Sequence, residues 1–125
     1  MAVPGDLLYS ATHEWVRVLP DGNAQMGLTD FAQGTLGDII FINLCLEGAA
    51  IKCGEPIGDV ESVMAVSEVI SPVDGVVVKV NAGVTERPEL INNNPYAAWL
   101  IEAGSVGDIN GLMTAEEYAD LLSLQ

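Results

Sequence analysis

The chain has 125 residues, one domain's worth, with 4 Lys and Arg against 18 Asp and Glu, a formal charge of −14. Half of its residues are apolar, which excludes a disordered acidic tail. That charge repels phosphate backbones and anionic lipid, so neither nucleic acid nor a membrane surface is an expected partner.

In chain order, the first residues, Met-Ala-Val-Pro-Gly-Asp, show no basic segment followed by an apolar stretch. No later run approaches the roughly 20 apolar residues of a membrane span. The expected compartment is the cytoplasm, and a processed mitochondrial chain fits the same composition. Short β-branched runs separated by Gly, Pro and Asp-Gly predict strands at residues 15–19, 38–44, 57–63, 66–70, 76–81 and 99–102. Asp21-Gly22 reads as a hairpin turn, and Pro72-Val-Asp74-Gly75 as another. Helical turns are expected at 29–36, with Thr29 or Asp30 as N-cap, and at 88–92. The best helix is C-terminal: Thr114-Ala-Glu-Glu117 matches a capping box, and Tyr118, Leu121 and Leu122 then line one face. Alternation places His13 and Trp15 on one strand face; packing on that helix is expected for Trp15 and left open for His13. Leu36–Asn43 and Val73–Asn81 form a weak quasi-repeat, each running from a turn into an apolar strand ending at Asn. These signals predict one mainly β domain over residues 1–125, a flattened barrel or sandwich of two small sheets with short helices.

Enzyme chemistry finds little support. His13 is the only histidine, and Cys45 and Cys53 have no zinc-ligand spacing. The two cysteines read as small buried or half-buried thiols. No nucleophile elbow and no phosphate loop is present. No catalytic residue and no metal ligand is expected.

The segment from Gly58 to Gly75 reads as a strand hairpin with a tight turn near Val63-Met64-Ala65, followed by Pro72-x-x-Gly75. In a carrier domain such a tip presents one side chain to visiting enzymes. Here the chain resembles the H protein of the glycine cleavage system, within the lipoyl/biotinyl carrier superfamily. The matching segments, in order, are Tyr9-x-x-x-His13-Glu14-Trp15-Val16, Gly27-Leu28-Thr29-Asp30-x-Ala32-Gln33, Leu36-Gly37-Asp38-Ile39-Ile40-Phe41, Glu61-Ser62-Val63, Pro72-x-x-Gly75, Pro88-Glu89-Leu90-Ile91-Asn92 and Pro95-Tyr96. The resemblance covers the chain from Leu7 to about Leu122.

The resemblance implies a non-catalytic carrier subunit. In the family a lipoyl group is amide-linked to a lysine at the hairpin tip. It accepts an aminomethyl group from a pyridoxal-phosphate glycine decarboxylase and delivers it to a tetrahydrofolate-dependent aminomethyltransferase. A flavin dihydrolipoyl dehydrogenase reoxidises it, and a lipoate-attaching enzyme loads it. The loaded arm folds into a cleft. The matching cleft residues here are Thr12, Glu14, Leu28, Thr35 and Glu68. Thr35 stands where histidine often appears, and Glu68 where aspartate is common. A cleft carboxylate favours the cationic form of an arm amine.

One departure is decisive. The family pattern is Glu-Ser-Val-Lys-Ala, and this chain reads Glu61-Ser62-Val63-Met64-Ala65. A thioether has no N–H and forms no amide, although methionine imitates the length and flexibility of a lysine stem. The two lysines present, Lys52 and Lys79, lie in the 48–55 connection and in a later strand. The expectation is a monomeric H-protein-like domain that carries no covalent lipoate. The alternative is a non-carrier binding or regulatory paralogue, for example in lipoate transfer, recognising the modifying enzymes through Glu61 and the hairpin.

Overall fold

A computed structural model describes residues 2–125 as a mainly β fold of two antiparallel sheets with short helices. The first sheet starts with β1 (Leu8–Tyr9) and the hairpin of β2 (Glu14–Val18) and β3 (Ala24–Leu28). Asp21-Gly22 closes that hairpin. Gly22 takes φ 88°, and the Asn23 amide donates to the Asp21 carboxylate at 2.9 Å. α1 (Asp30–Leu36) follows, and the Thr29 hydroxyl caps it by accepting from the Ala32 amide at 3.2 Å.

β4 (Ile39–Leu44) opens the second sheet, and β5 (Ala50–Ile51) returns to the first. β6 (Pro56–Ser62) and β7 (Val66–Ile70) then form the hairpin that completes the second sheet. β8 (Gly75–Val80), α2 (Ala82–Glu86), α3 (Leu90–Asn93), β9 (Ile101–Gly104) and α4 (Ala115–Leu122) follow. The strand orders are β1-β2-β3-β9-β8-β5 in the six-stranded sheet and β4-β6-β7 in the three-stranded one. The two halves of the quasi-repeat, β4 and β8, thus lie in different sheets.

Several elements differ from their sequence reading. β1, β5 and α2 were not expected, and β3 is implied in the sequence only by the hairpin turn at Asp21-Gly22. The last strand begins at Ile101, so Trp99 precedes it. His13 is not in a strand: it takes φ 72° just before β2. The alternation argument therefore fails for His13, yet its ring still reaches α4, because the left-handed residue turns it that way.

The apolar side chains form two clusters. The larger lies between the sheets and includes Val16, Met26, Ile42, Val60, Val69, Val77 and Ile101. The smaller joins α4 to the outside of the first sheet through Leu7, Tyr9, Trp15 and Tyr118, with Leu121 and Leu122 packed against it. The capping box at Thr114 and Glu117 starts α4 in both directions, as its residues predict. Trp15 anchors the cluster. Its indole N–H donates to the Pro95 carbonyl at 3.0 Å, and the Arg17 guanidinium lies 4.8 Å above its ring. Truncating such a buried aromatic costs about 3–5 kcal/mol.

Candidate functional site

The β6–β7 hairpin is organised by one hydroxyl. Ser62 Oγ accepts from the amides of Met64 and Ala65, each at 3.1 Å, and the Ser62 amide donates to the Ala65 carbonyl at 2.8 Å. The Val63 amide donates to the Asp38 carbonyl at 3.0 Å, which ties the tip to the start of β4. Ser62 is buried, while Glu61, Val63, Met64 and Ala65 are exposed. Met64 is 74 % exposed, the most of any residue on this hairpin's apolar rim. Its sulfur leans toward Gly37, where an added Cβ would lie 3.3 Å from Sδ.

A second constellation forms around Glu14. The chain turns at residues 10–13, and the left-handed backbone of His13 sends the next side chain inward. Glu14 is only 2 % exposed. The Ser10 hydroxyl donates to its Oε1 at 2.8 Å, the Thr12 hydroxyl donates to the same oxygen, and the Ile70 amide at the end of β7 approaches Oε2 at 3.4 Å. Burial pushes this carboxyl up to about 7, against the opposing pull of the Thr12, Ser10 and Ile70 bonds.

A cavity of about 490 Å³ adjoins it, lined among others by Ser10, Thr12, Cys53, Ile70, Pro72 and Leu112. All three groups that hold the Glu14 carboxyl belong to residues of this wall, and Glu14 stands behind them. β7 connects the two constellations, spanning about 13 Å from Val66 by the tip to Ile70 at the cavity.

The residues singled out from sequence thus divide. Glu61, Ser62, Val63, Met64 and Ala65 share the tip. Thr12 and Glu14 share the buried cluster, and Leu28 is the cross-strand partner of Glu14. Thr35 is exposed on α1, its hydroxyl donating to the Ala32 carbonyl at 2.9 Å. Glu68 is exposed on β7 opposite Asp59. Ser10 and Ile70 were not foreseen. The spacing Ser10-x-Thr12-x-Glu14 is a signal for the first, and no side-chain pattern marks the Ile70 amide. Cys45 is half-buried and Cys53 is exposed at the cavity wall. Among the described residues no cluster of His, Cys, Asp and Glu could hold a metal ion, and no helix is long and apolar enough to cross a membrane.

Comparison with known proteins gives a consistent result. The family model described as Glycine cleavage H-protein matches residues 7–125. The chain is 47 % identical over 124 residues to the glycine cleavage system H protein of Bacillus velezensis and 48 % identical to that of Bacillus subtilis, each alignment covering 97 % of both chains. The crystal structure of a glycine cleavage system H protein from Mycobacterium marinum superposes with a TM-score of 0.88 at 38 % identity, over 97 % of this chain and 99 % of that one.

Proposed function

The chain belongs to the glycine cleavage H-protein family, and on that premise we propose that it is a single H-type domain whose hairpin tip cannot be acylated. The observation that carries this reading is Met64, exposed at the tip between Val63 and Ala65. The family resemblance assigns that position to the lysine that bears lipoate. The side chain present does not fit the group, because a thioether offers no nitrogen to acylate. Lys52 and Lys79 are exposed elsewhere, on the connection after β5 and on β8.

The rest of the carrier architecture supports family-type docking. Ser62 folds the tip, and Ser10, Thr12 and the Ile70 amide hold the Glu14 carboxyl. We propose that Thr12, Glu14, Leu28, Thr35 and Glu68 are what this chain retains of the arm cleft. The chain would then act in the cytoplasm by occupying the carrier's place on glycine decarboxylase, aminomethyltransferase, dihydrolipoyl dehydrogenase or the lipoate-attaching enzyme, without turnover. The intact tip also fits the second reading, a binding or regulatory paralogue in lipoate transfer.

Incubation with lipoate, ATP and a lipoate ligase, followed by intact-mass measurement, tests the proposal. The expected result is an unmodified chain and a single lipoyl adduct on the Met64→Lys variant. An adduct on the unaltered chain would overturn it. Binding to the ligase without binding to any glycine cleavage enzyme would favour the second reading.

A further inference from the structure

The sulfur-bearing side chains differ sharply in access. Met26 belongs to the core between the sheets and is 1 % exposed. Met113 is half-buried against the Tyr9, Trp15 and Tyr118 cluster, and its backbone pairs with Tyr9 in both directions. Cys45 is half-buried, and burial pushes its thiol up, away from the reactive thiolate. Met64, by contrast, is 74 % exposed.

The tip holds this thioether out without depending on it. Ser62 Oγ accepts from the Met64 and Ala65 amides, and the Val63 amide donates to the Asp38 carbonyl, so the backbone is fixed on both sides of the side chain. The sulfur rests beside Gly37, where an added Cβ would lie 3.3 Å from Sδ. On that side it meets a residue with no side chain to shield it.

We propose that Met64 is a reversible oxidation site, which takes one oxygen atom from hydrogen peroxide and returns it through a thiol-dependent methionine sulfoxide reductase. In the forward step a lone pair on Sδ attacks one peroxide oxygen. The S–O bond forms as the O–O bond breaks, the sulfur is oxidised by two electrons, and the other oxygen leaves as water once it has taken up the proton. In the return step two thiols of the reductase supply the electrons and become a disulfide, and the oxygen leaves as water.

Position decides what the added oxygen does. At Met26 it would enter an apolar core with no donor to meet it, at a cost to the fold. At Met64 it faces water, and none of the bonds that fold the turn uses the side chain. Both states are therefore compatible with the same fold. What changes is the surface of the tip: a flexible apolar side chain beside exposed Val63 and Val66 becomes polar and chiral. This holds whether or not the chain docks on any glycine cleavage enzyme.

The test exposes the full folded chain to hydrogen peroxide and follows each methionine by peptide mapping, with oxidation of Cys53 and Cys45 read in their own peptides. Met64 is expected to gain oxygen several-fold faster than Met113 and at least about tenfold faster than Met26. The singly oxidised chain is expected to keep its denaturant midpoint and to leave a hydrophobic column earlier than the reduced chain. Methionine sulfoxide reductase with a dithiol is expected to remove the oxygen from the folded chain. Met64→Leu, which keeps the apolar bulk and removes the sulfur, is expected to abolish the fast phase and leave the rates at Met113 and Met26 unchanged. Met113 oxidised as fast as Met64 would overturn the proposal. So would a lowered midpoint for the singly oxidised chain, or a reductase that acts only after unfolding.

Discussion

The imidazole Nδ1 of His13 lies 2.8 Å from the Tyr118 hydroxyl, and the same hydroxyl lies 2.8 Å from Thr29 Oγ1. One phenol thereby ties α4 to the turn before β2 and to the N-cap of α1. Burial pushes the His13 imidazole below its ordinary value. With its proton on Nε2 the neutral ring accepts from Tyr118, and the Thr29 hydroxyl donates to the phenol oxygen. The Tyr118 ring stacks on Tyr9 at 4.6 Å, so its packing and its hydrogen bonds can be separated by substitution. Tyr118→Phe keeps the stack and removes both bonds. The expected cost is about 1–3 kcal/mol, read as a lower urea midpoint. The His13 titration, followed by proton NMR, is expected to stay below 6.5 in that variant, because burial is what lowers it and the stacked ring remains. A titration that returned to 6.5 would mean that the ring no longer buries the imidazole.

Glu14 makes stability depend on pH with a sign unusual for a carboxyl. Its folded value of about 7 lies above the ordinary 4.5, so the folded chain holds this proton more tightly than the unfolded one. The stabilisation is complete below about pH 4.5 and is lost as pH rises through 7. A difference of this size corresponds to about 3 kcal/mol. His13 has the opposite sign: its lowered value makes stability fall as pH drops below about 6.5. The two slopes oppose each other, so bulk stability is a poor readout. The informative comparison is the unaltered chain against Glu14→Gln. Between pH 4.5 and 7.5 the unaltered chain is expected to lose about 3 kcal/mol relative to the variant. A carbon-13 titration of the Glu14 carboxyl with its midpoint near 4.5 would contradict this.

The parts of the fold that sequence made legible are those held by local chemistry. Thr114 and Glu117 cap α4 through bonds three residues apart, and Asp21-Gly22 needs only its own turn. Val66–Ile70 has its expected bounds, because Met64 and Ala65 end one side and Pro72 limits the other. What stayed hidden depends on distant partners. Ala-Gln-Met-Gly-Leu is a weak strand sequence, yet β3 forms because the Trp15 indole covers Gly27, where an added Cβ would lie 2.7 Å from the ring. β1 and β5 have two residues each, too few to show a period. Asn81 read as the end of a strand, and it also caps α2 by accepting from the Gly83 amide at 3.2 Å. At the site, the tip was legible as a hairpin with an exposed residue. The closing bond on Glu14 was not, since its donor is a backbone amide 56 residues away.

Gly58 is expected to be the least replaceable glycine of the hairpin sheet. It pairs with Leu44 beside the β6 bulge, and an added Cβ would meet the Asn43 carbonyl at only 2.1 Å. Backbone cannot yield there as a flexible side chain would. Gly58→Ala is expected to destabilise the chain by roughly 3 kcal/mol or more, measured by denaturant unfolding. Gly34→Ala is the control. That position has open space around the missing Cβ, lies inside α1 and is expected to be neutral or slightly stabilising. Equal midpoints for the two variants would show that the β6 bulge relaxes freely.

Met64 is expected to be nearly free of structural duty. The tip is folded by Ser62 and anchored by the Val63 amide, and neither bond uses the side chain at 64. Met64 is 74 % exposed, with its sulfur toward Gly37. Met64→Lys should therefore change unfolding free energy by no more than about 0.5 kcal/mol. This outcome matters for reading the acylation experiment. If the variant unfolds at the same denaturant midpoint and accepts lipoate, the missing nitrogen alone accounts for the unmodified state of the chain. An equally stable variant that refuses lipoate would move the defect to recognition, where Glu61 at the start of the turn is the first residue to examine. A variant destabilised by 2 kcal/mol or more would contradict the structural account of the tip itself, because it would mean that the methionine packs into the fold rather than projecting from it.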